Sequence, residues 1–180
     1  MAYLTEYGGN KPTATEGESE MPEADPERAE EWSMLLDDQL CFALYAASRA
    51  VTGLYRPVLD ELGLTYPQYL VMLVLWDRDS VPVKDLSAAL QLDYGTLTPL
   101  LKRLESHGLL RRERRADDER SVRITLTSDG AALRARARAV PAFIGDAMGL
   151  GDTEFGQLRD SLRRLTANVT QAADKPRPAS

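Results

Sequence analysis

Residues 83–127 read VKDLSAALQLDYGTLTPLLKRLESHGLLRRERRADDERSVRITLT, and this stretch decides the fold. Val83 to Leu90 can put Leu86, Ala89 and Leu90 on one side of a short amphipathic helix, and Gln91-Leu92-Asp93 supplies a turn. Leu97, Leu100, Leu101 and Leu104 then fall at i, i+3, i+4 and i+7, so a second helix has one apolar face while Thr96, Lys102, Arg103 and Ser106 point elsewhere. His107-Gly108 ends it. Its start has two candidate caps. Pro99 favours the first helical position and would make Thr98 the cap, whereas Asp93 is the other candidate and is preferred. Leu109–Arg115 and Ser121–Thr127 are short segments, the second alternating Val122, Ile124 and Leu126 with polar neighbours, and the charged run 116–119 joins them. That is the pattern of a β-hairpin.

A short helix, a tight turn, a helix with a polar outer face and a basic hairpin form, in this order, a winged helix-turn-helix. The expected fold is mainly α with a small β-hairpin wing (α+β). Upstream, Leu40, Leu44, Ala47, Val51, Leu54 and Val58 draw one apolar stripe down a long helix over about 37–62 that contains Pro57. Thr65 caps a second helix holding the apolar run Tyr69–Trp76, and Ser80-Val81-Pro82 breaks the chain before Val83. Downstream, Ser128 caps a helix through about Ala147, and Asp152 opens a last one to about Ala172. Residues 32–172 are read as one domain. Residues 1–31 are rich in Glu, Pro, Gly, Ser and Thr with no repeating apolar face, so they read as a disordered acidic tail, and 173–180 as a flexible C-terminus.

Composition narrows the chemistry. With 180 residues, 43% of them hydrophobic, the chain can close a core. No unbroken apolar run is longer than Tyr69–Trp76, far short of the roughly 20 residues of a membrane helix, and no signal pattern opens the sequence, so a cytoplasmic protein is expected. A single cysteine, Cys41, and a single histidine, His107, exclude an intrachain disulfide and a multi-thiolate or histidine-rich metal site. No metal, cofactor or catalytic residue is expected.

The net charge of -6 hides a partition: residues 1–40 carry a net -9, and residues 84–138 a net +4. One acidic end masks a basic segment, which directs attention to DNA. A helix entering the major groove needs hydrogen-bonding side chains outward and cations beside it to neutralise phosphates. Tyr94, Thr96, Thr98, Lys102, Arg103, Arg112, Arg114, Arg120 and Arg123 are the candidates, with Arg120 at the hairpin tip placed to enter a minor groove. Against this stands a solvated charged edge for the arginines and simple capping for the two threonines.

The segment Asp118-Glu119-Arg120-Ser121-Val122-Arg123-Ile124-Thr125-Leu126-Thr127-Ser128-Asp129-Gly130 resembles the D-x-R-x5-L-T-x2-G wing signature of the multiple-antibiotic-resistance regulator (MarR) family, in which Asp118 and Arg120 are the motif residues. Leu40-Cys41-Phe42-Ala43-Leu44-Tyr45, Tyr55, Leu64–Tyr69 and Leu92–Arg103 narrow the resemblance to the organic hydroperoxide resistance regulator (OhrR) branch, over about 37–172. Tyr94 departs from it, since a small residue is expected at the start of the recognition helix. The resemblance implies a homodimer, with helices 37–62 and 128–172 in dimerisation and 65–127 as the DNA-binding core. It further implies a repressor that leaves double-stranded operator DNA when an organic hydroperoxide oxidises Cys41, with Tyr55 and Tyr66 as hydroxyl partners of the cysteine and Tyr45 as a further candidate. Thr96 and Arg103 would be recognition-helix contacts and Arg120 the wing contact.

A lone cysteine near an apolar stripe is commonly a small buried hydrophobe. Cys41, however, lies one step off the stripe and in the first turn of its helix, where the dipole favours a thiolate, while Asp37 and Asp38 oppose it. With no second cysteine, a sulfenic acid formed here must react with a small-molecule thiol or be overoxidised. Helix geometry sets Tyr45 and Tyr55 within about 40° of Cys41 around the axis, but Tyr55 about 21 Å along it. A two-fold axis pairing the helix antiparallel with its mate would bring the Tyr55 of one subunit beside the Cys41 of the other; the expected intersubunit site adds the Tyr66 of the same partner, as the resemblance implies. The alternative function is a repressor of the same family released by a small apolar or phenolic ligand, with Cys41 structural. A thiol peroxidase would need activating and resolving groups that the sequence does not supply.

Overall fold

The computed structural model describes residues 33–114, 122–173 and 175. The acidic tail over 1–31 and the wing tip over 115–121 lie outside the described residues. The chain divides into two units, Met1–Ala43 and Leu44–Ser180. In the first, Leu36–Asp38 make one turn of 3-10 helix and Leu40 opens α1 (Leu40–Asp60). The helix therefore begins three residues after Asp37, because Gln39 is extended (φ -79°, ψ 114°) and separates the two turns.

In the second unit, α2 (Tyr66–Arg78) starts at Thr65 as expected, with the Gln68 side-chain oxygen accepting from the Thr65 N–H (2.8 Å) and hydroxyl (3.0 Å). Helices α3 (Val83–Leu90) and α4 (Tyr94–Ser106) follow, and Asp93 is the cap of α4. The reading of Asp93 over Thr98 holds: Pro99 sits inside the helix. The wing is β2 (Leu110–Arg114) and β3 (Val122–Leu126) in antiparallel register, Arg112 opposite Ile124.

Two expectations change. Ser80–Pro82 is more than a break: it forms a short strand, β1, antiparallel to β3 with Val81 opposite Ile124, so the hairpin is extended to three strands in the order β1-β3-β2. Both Val81 and Ile124 are buried, and that burial holds a strand too short to show a pattern of its own. The single helix expected over 128–147 is two, α5 (Ser128–Ala137) and α6 (Val140–Met148). Pro141 explains the interruption, since it has no N–H to donate to the carbonyl of Ala137 and its ring crowds that carbonyl. The cap of α5 is Thr127, one residue before Ser128; its hydroxyl accepts from the Gly130 N–H at 3.0 Å. Helix α7 (Asp152–Ala173) follows the expected bounds.

The core gathers Leu59 at the end of α1, Val71, Met72 and Leu75 of α2, Leu86 of α3, Leu97, Leu101 and Leu104 of α4, and Leu110 of β2, all buried. Arg136 of α5 donates to the Glu61 carbonyl, placing a cation at the C-terminal end of α1. One junction binds helices to wing. Trp76 Nε1 donates to the Gly130 carbonyl at 2.8 Å, Thr127 donates its hydroxyl to the Gly108 carbonyl at 2.6 Å, and Thr127 N–H meets the Leu109 carbonyl at 3.2 Å. A Cβ built on Gly130 would stand 1.9 Å from the Leu109 oxygen, a backbone atom that cannot swing aside.

Gly130→Ala should therefore destabilise the protein by about 3 kcal/mol or more, the range of overpacking at a rigid site. Chemical denaturation followed by circular dichroism tests it: a loss below about 1 kcal/mol would mean the junction opens freely.

Candidate nucleic-acid interface and sensor cysteine

Helix α4 presents its leucines inward and leaves Tyr94, Thr96, Pro99, Lys102, Arg103 and Ser106 exposed. The turn before it closes on Gln91, a non-glycine residue in left-handed conformation (φ 53°), and on the Ser87 hydroxyl, which donates to the Leu92 carbonyl at 2.6 Å. Asp93 fixes the first turn. Its carboxylate accepts from the Thr96 N–H (2.8 Å) and the Thr96 hydroxyl (2.9 Å), bonds that hold its pKa below the usual carboxylate value. The Thr98 hydroxyl donates to the Tyr94 carbonyl at 2.7 Å. Both threonines thus spend their protons within the helix, which is the capping role weighed against DNA contact for them.

The arginines separate into two groups. Arg112 Nε donates to Glu105 of α4 at 2.7 Å, and its backbone N–H donates to the same carboxylate at 3.2 Å, so it ties the wing to the recognition helix. Arg123 donates to the Ser80 hydroxyl (3.1 Å) and carbonyl (2.9 Å), joining β3 to β1. Arg111 and Arg103 are exposed on β2 and α4, and Lys102 stands beside Arg103. Arg114 contributes its backbone to the pairing with Val122; its side chain, Asp118 and Arg120 lie outside the described residues. Glu105 was not a sequence candidate. Only its side-chain contact with Arg112, seven residues away, reveals its part.

Cys41 is in the first turn of α1 and exposed. Tyr45, also exposed, accepts from Arg49 at 2.9 Å, and the same guanidinium carbon lies 5.5 Å from its ring centre. Tyr55 and Tyr66 come together, their ring centres 4.6 Å apart, and Tyr69 lies 5.8 Å from Tyr55. Tyr69 stands in the sequence at the start of an apolar run and the end of the Leu64–Tyr69 motif without a role of its own; its i+3 spacing from Tyr66 is the available signal. Burial, reinforced by the neighbouring phenols for Tyr55 and Tyr69, raises all three tyrosine pKa values. They stay protonated and able to donate at neutral pH. A groove of about 1200 Å³ runs between Leu44, Ala47 and Val51 of α1 and Phe155, Leu158 and Leu162 of α7. Among the described residues no helix is long and apolar enough to cross a membrane, and no cluster of three or more His, Cys, Asp or Glu is gathered for a metal.

Comparison with known proteins adds the following. Residues 53–136 match the model of the SarA/Rot transcriptional regulator family. The chain is 46% identical over 138 residues to the organic hydroperoxide resistance transcriptional regulator of Bacillus subtilis (strain 168), covering 77% of this chain and 94% of that one. Among solved structures, reduced AbfR bound to DNA, a protein of Staphylococcus epidermidis, superposes with a TM-score of 0.65 at 33% identity over 83% of this chain and 99% of that one. CouR of Rhodococcus jostii RHA1 bound to p-coumaroyl-CoA does so at 0.65 and 29%, over 74% and 95%.

The Asp93 cap gives a pH test. A carboxyl whose pKa is lower folded than unfolded stabilises fully above the unfolded value, about 4, and the contribution is lost as pH falls through the folded value. Thermal melts of the wild type and Asp93→Ala should differ at pH 7 and converge on acidification. An equal gap down to pH about 2 would show that the cap acts without its charge.

Proposed function

The chain belongs to the MarR family, in its organic hydroperoxide resistance regulator branch, and on that premise we propose that it is a repressor released from DNA by peroxide. As a homodimer it binds double-stranded operator DNA through α4 and the wing, and it lets go when an organic hydroperoxide oxidises Cys41. The observation that carries this reading is the likeness to the Bacillus regulator over nearly that protein's whole length. The neighbouring structure of AbfR bound to DNA supports DNA as the partner, and a helix-turn-helix docks with the second helix of the motif in the major groove.

The chemistry is one two-electron step. The Cys41 thiolate attacks the terminal peroxide oxygen; the O–O bond breaks, the alkoxide leaves and takes a proton to become an alcohol, and the sulfur becomes a sulfenic acid. The chain holds no second cysteine, so a small cellular thiol condenses with the sulfenic acid, forming a mixed disulfide and releasing water. Excess peroxide carries the sulfur on to sulfinic or sulfonic acid.

The homodimer has a surface to use. The apolar residues of the α1–α7 groove, with Phe155 at 40% and Leu158 at 48% exposure, form a patch that a stable monomer would not leave to water. In this reading the partner subunit brings its Tyr55 and Tyr66 to Cys41, where phenols kept protonated by burial donate to the thiolate. Adding an oxygen or a bulky thiol at this seam shifts the two subunits. The recognition helices then no longer match half-sites about one helical turn apart.

A gel shift with the promoter DNA, run reduced, peroxide-treated and re-reduced, tests the function. Cys41→Ser should bind DNA nearly as the wild type does and ignore peroxide; continued release from the serine variant would transfer the sensing role elsewhere. Tyr55→Phe should blunt the peroxide response more than it weakens DNA binding.

Arg120→Ala should weaken binding and reduce the slope of log affinity against log salt by about one unit, with sensing unchanged. An unaltered slope would take Arg120 out of the interface.

A further inference from the structure

The exposed side of the first two turns of α4 is poor in hydrogen-bonding protons. Thr96 and Thr98 donate theirs to Asp93 and to the Tyr94 carbonyl. Gly95 has no side chain, and an added Cβ would press on the capping carboxylate at 3.0 Å. Pro99 is exposed, five residues into the helix, where proline removes one helical hydrogen bond and crowds the carbonyl of Gly95. This is a costly position for proline, and no buried contact repays it, since the core-facing positions are Leu97, Leu101 and Leu104. Apart from the Tyr94 hydroxyl, what the surface offers is largely carbon: the Pro99 ring, the Thr96 methyl and the ring of Tyr94, which is 54% exposed. Lys102 and Arg103 begin only in the next turn.

In the major groove, thymine is the base that displays carbon, its 5-methyl group, and apolar side chains read it by contact. We infer that the N-terminal half of this recognition helix selects thymine by its 5-methyl group, with Pro99 as the specificity-determining residue and Thr96 and Tyr94 beside it. The inference rests on the repressor reading and sharpens it. It assigns positions of the operator to shape-matched apolar contact in place of hydrogen-bonded readout, and it gives the departure at Tyr94 a use: an aromatic surface extends the apolar strip.

Replacing thymine by uracil deletes the methyl and leaves Watson–Crick pairing and the O4 acceptor unchanged. The full-length protein, reduced, is used to select binding sites from a randomised duplex library, and the enriched duplex is resynthesised with uracil at one thymine at a time. At one or more positions affinity should fall about fourfold, the effect of losing one buried methyl contact. Against Pro99→Ala, which restores the helical hydrogen bond and so should fold at least as stably, the thymine-to-uracil loss at that position should shrink towards none. An enriched site in which uracil is neutral everywhere overturns the inference alone, as does a uracil penalty of equal size in wild type and Pro99→Ala at every position. Failure to enrich any sequence overturns the repressor reading and the inference together.

Discussion

The hydrogen bond from Trp76 to the Gly130 carbonyl spans 54 residues, and the placement of every DNA-reading element in this unit depends on the junction it closes. The indole belongs to α2, which buries six of its residues; the carbonyl belongs to the first turn of α5, where the chain leaves the wing. Because residue 130 has no side chain, the Leu109 carbonyl can occupy the space where a Cβ would be, and β2 is held against the start of α5. Glu105 then joins α4 to β2 through Arg112, and Arg123 joins β3 to β1 through Ser80. The described strands of the wing are thus tied to the recognition helix, and fixed spacing on a duplex requires such ties.

This arrangement changes the meaning of the basic segment. Its charge is real, but part of it is engaged within the protein: Arg112 pairs with Glu105 and Arg123 with Ser80, whereas Lys102, Arg103 and Arg111 are exposed on α4 and β2. The division also shows why charge alone overstates an interface. An arginine that donates to a partly buried carbonyl, as Arg123 does to Ser80, is hard to tell, in sequence, from one that meets DNA.

Most helices were legible because their apolar periodicity is local: the leucines of α4 and the cap at Asp93 lie within a dozen residues. The wing was legible for the same reason, through the alternation of Val122, Ile124 and Leu126. What escaped was long-range or subtractive. Strand β1 has three residues and exists because Val81 meets Ile124, 43 positions away, a pairing no window of sequence contains. The break between α5 and α6 depends on the hydrogen bond that Pro141 cannot make. In the tyrosine cluster, Tyr55 and Tyr66 could be singled out from the family pattern, while Tyr69 also opens an apolar run where an aromatic ring is ordinarily only core. The hydrogen-bond commitments of Thr96 and Thr98 needed coordinates, because the same hydroxyls in the same register could face a base or the backbone.

The central claim is that oxidation of Cys41 and release of DNA are one event. It is tested most directly by following both on one sample: fluorescence anisotropy of a labelled operator duplex and intact mass of the protein, during addition of tert-butyl hydroperoxide with a small thiol present. The account predicts that the released fraction rises in step with the fraction of chains carrying a mixed disulfide at Cys41, and that both reverse when a strong reductant is added. Full modification of Cys41 with the duplex still bound, or release with Cys41 unmodified, would contradict it.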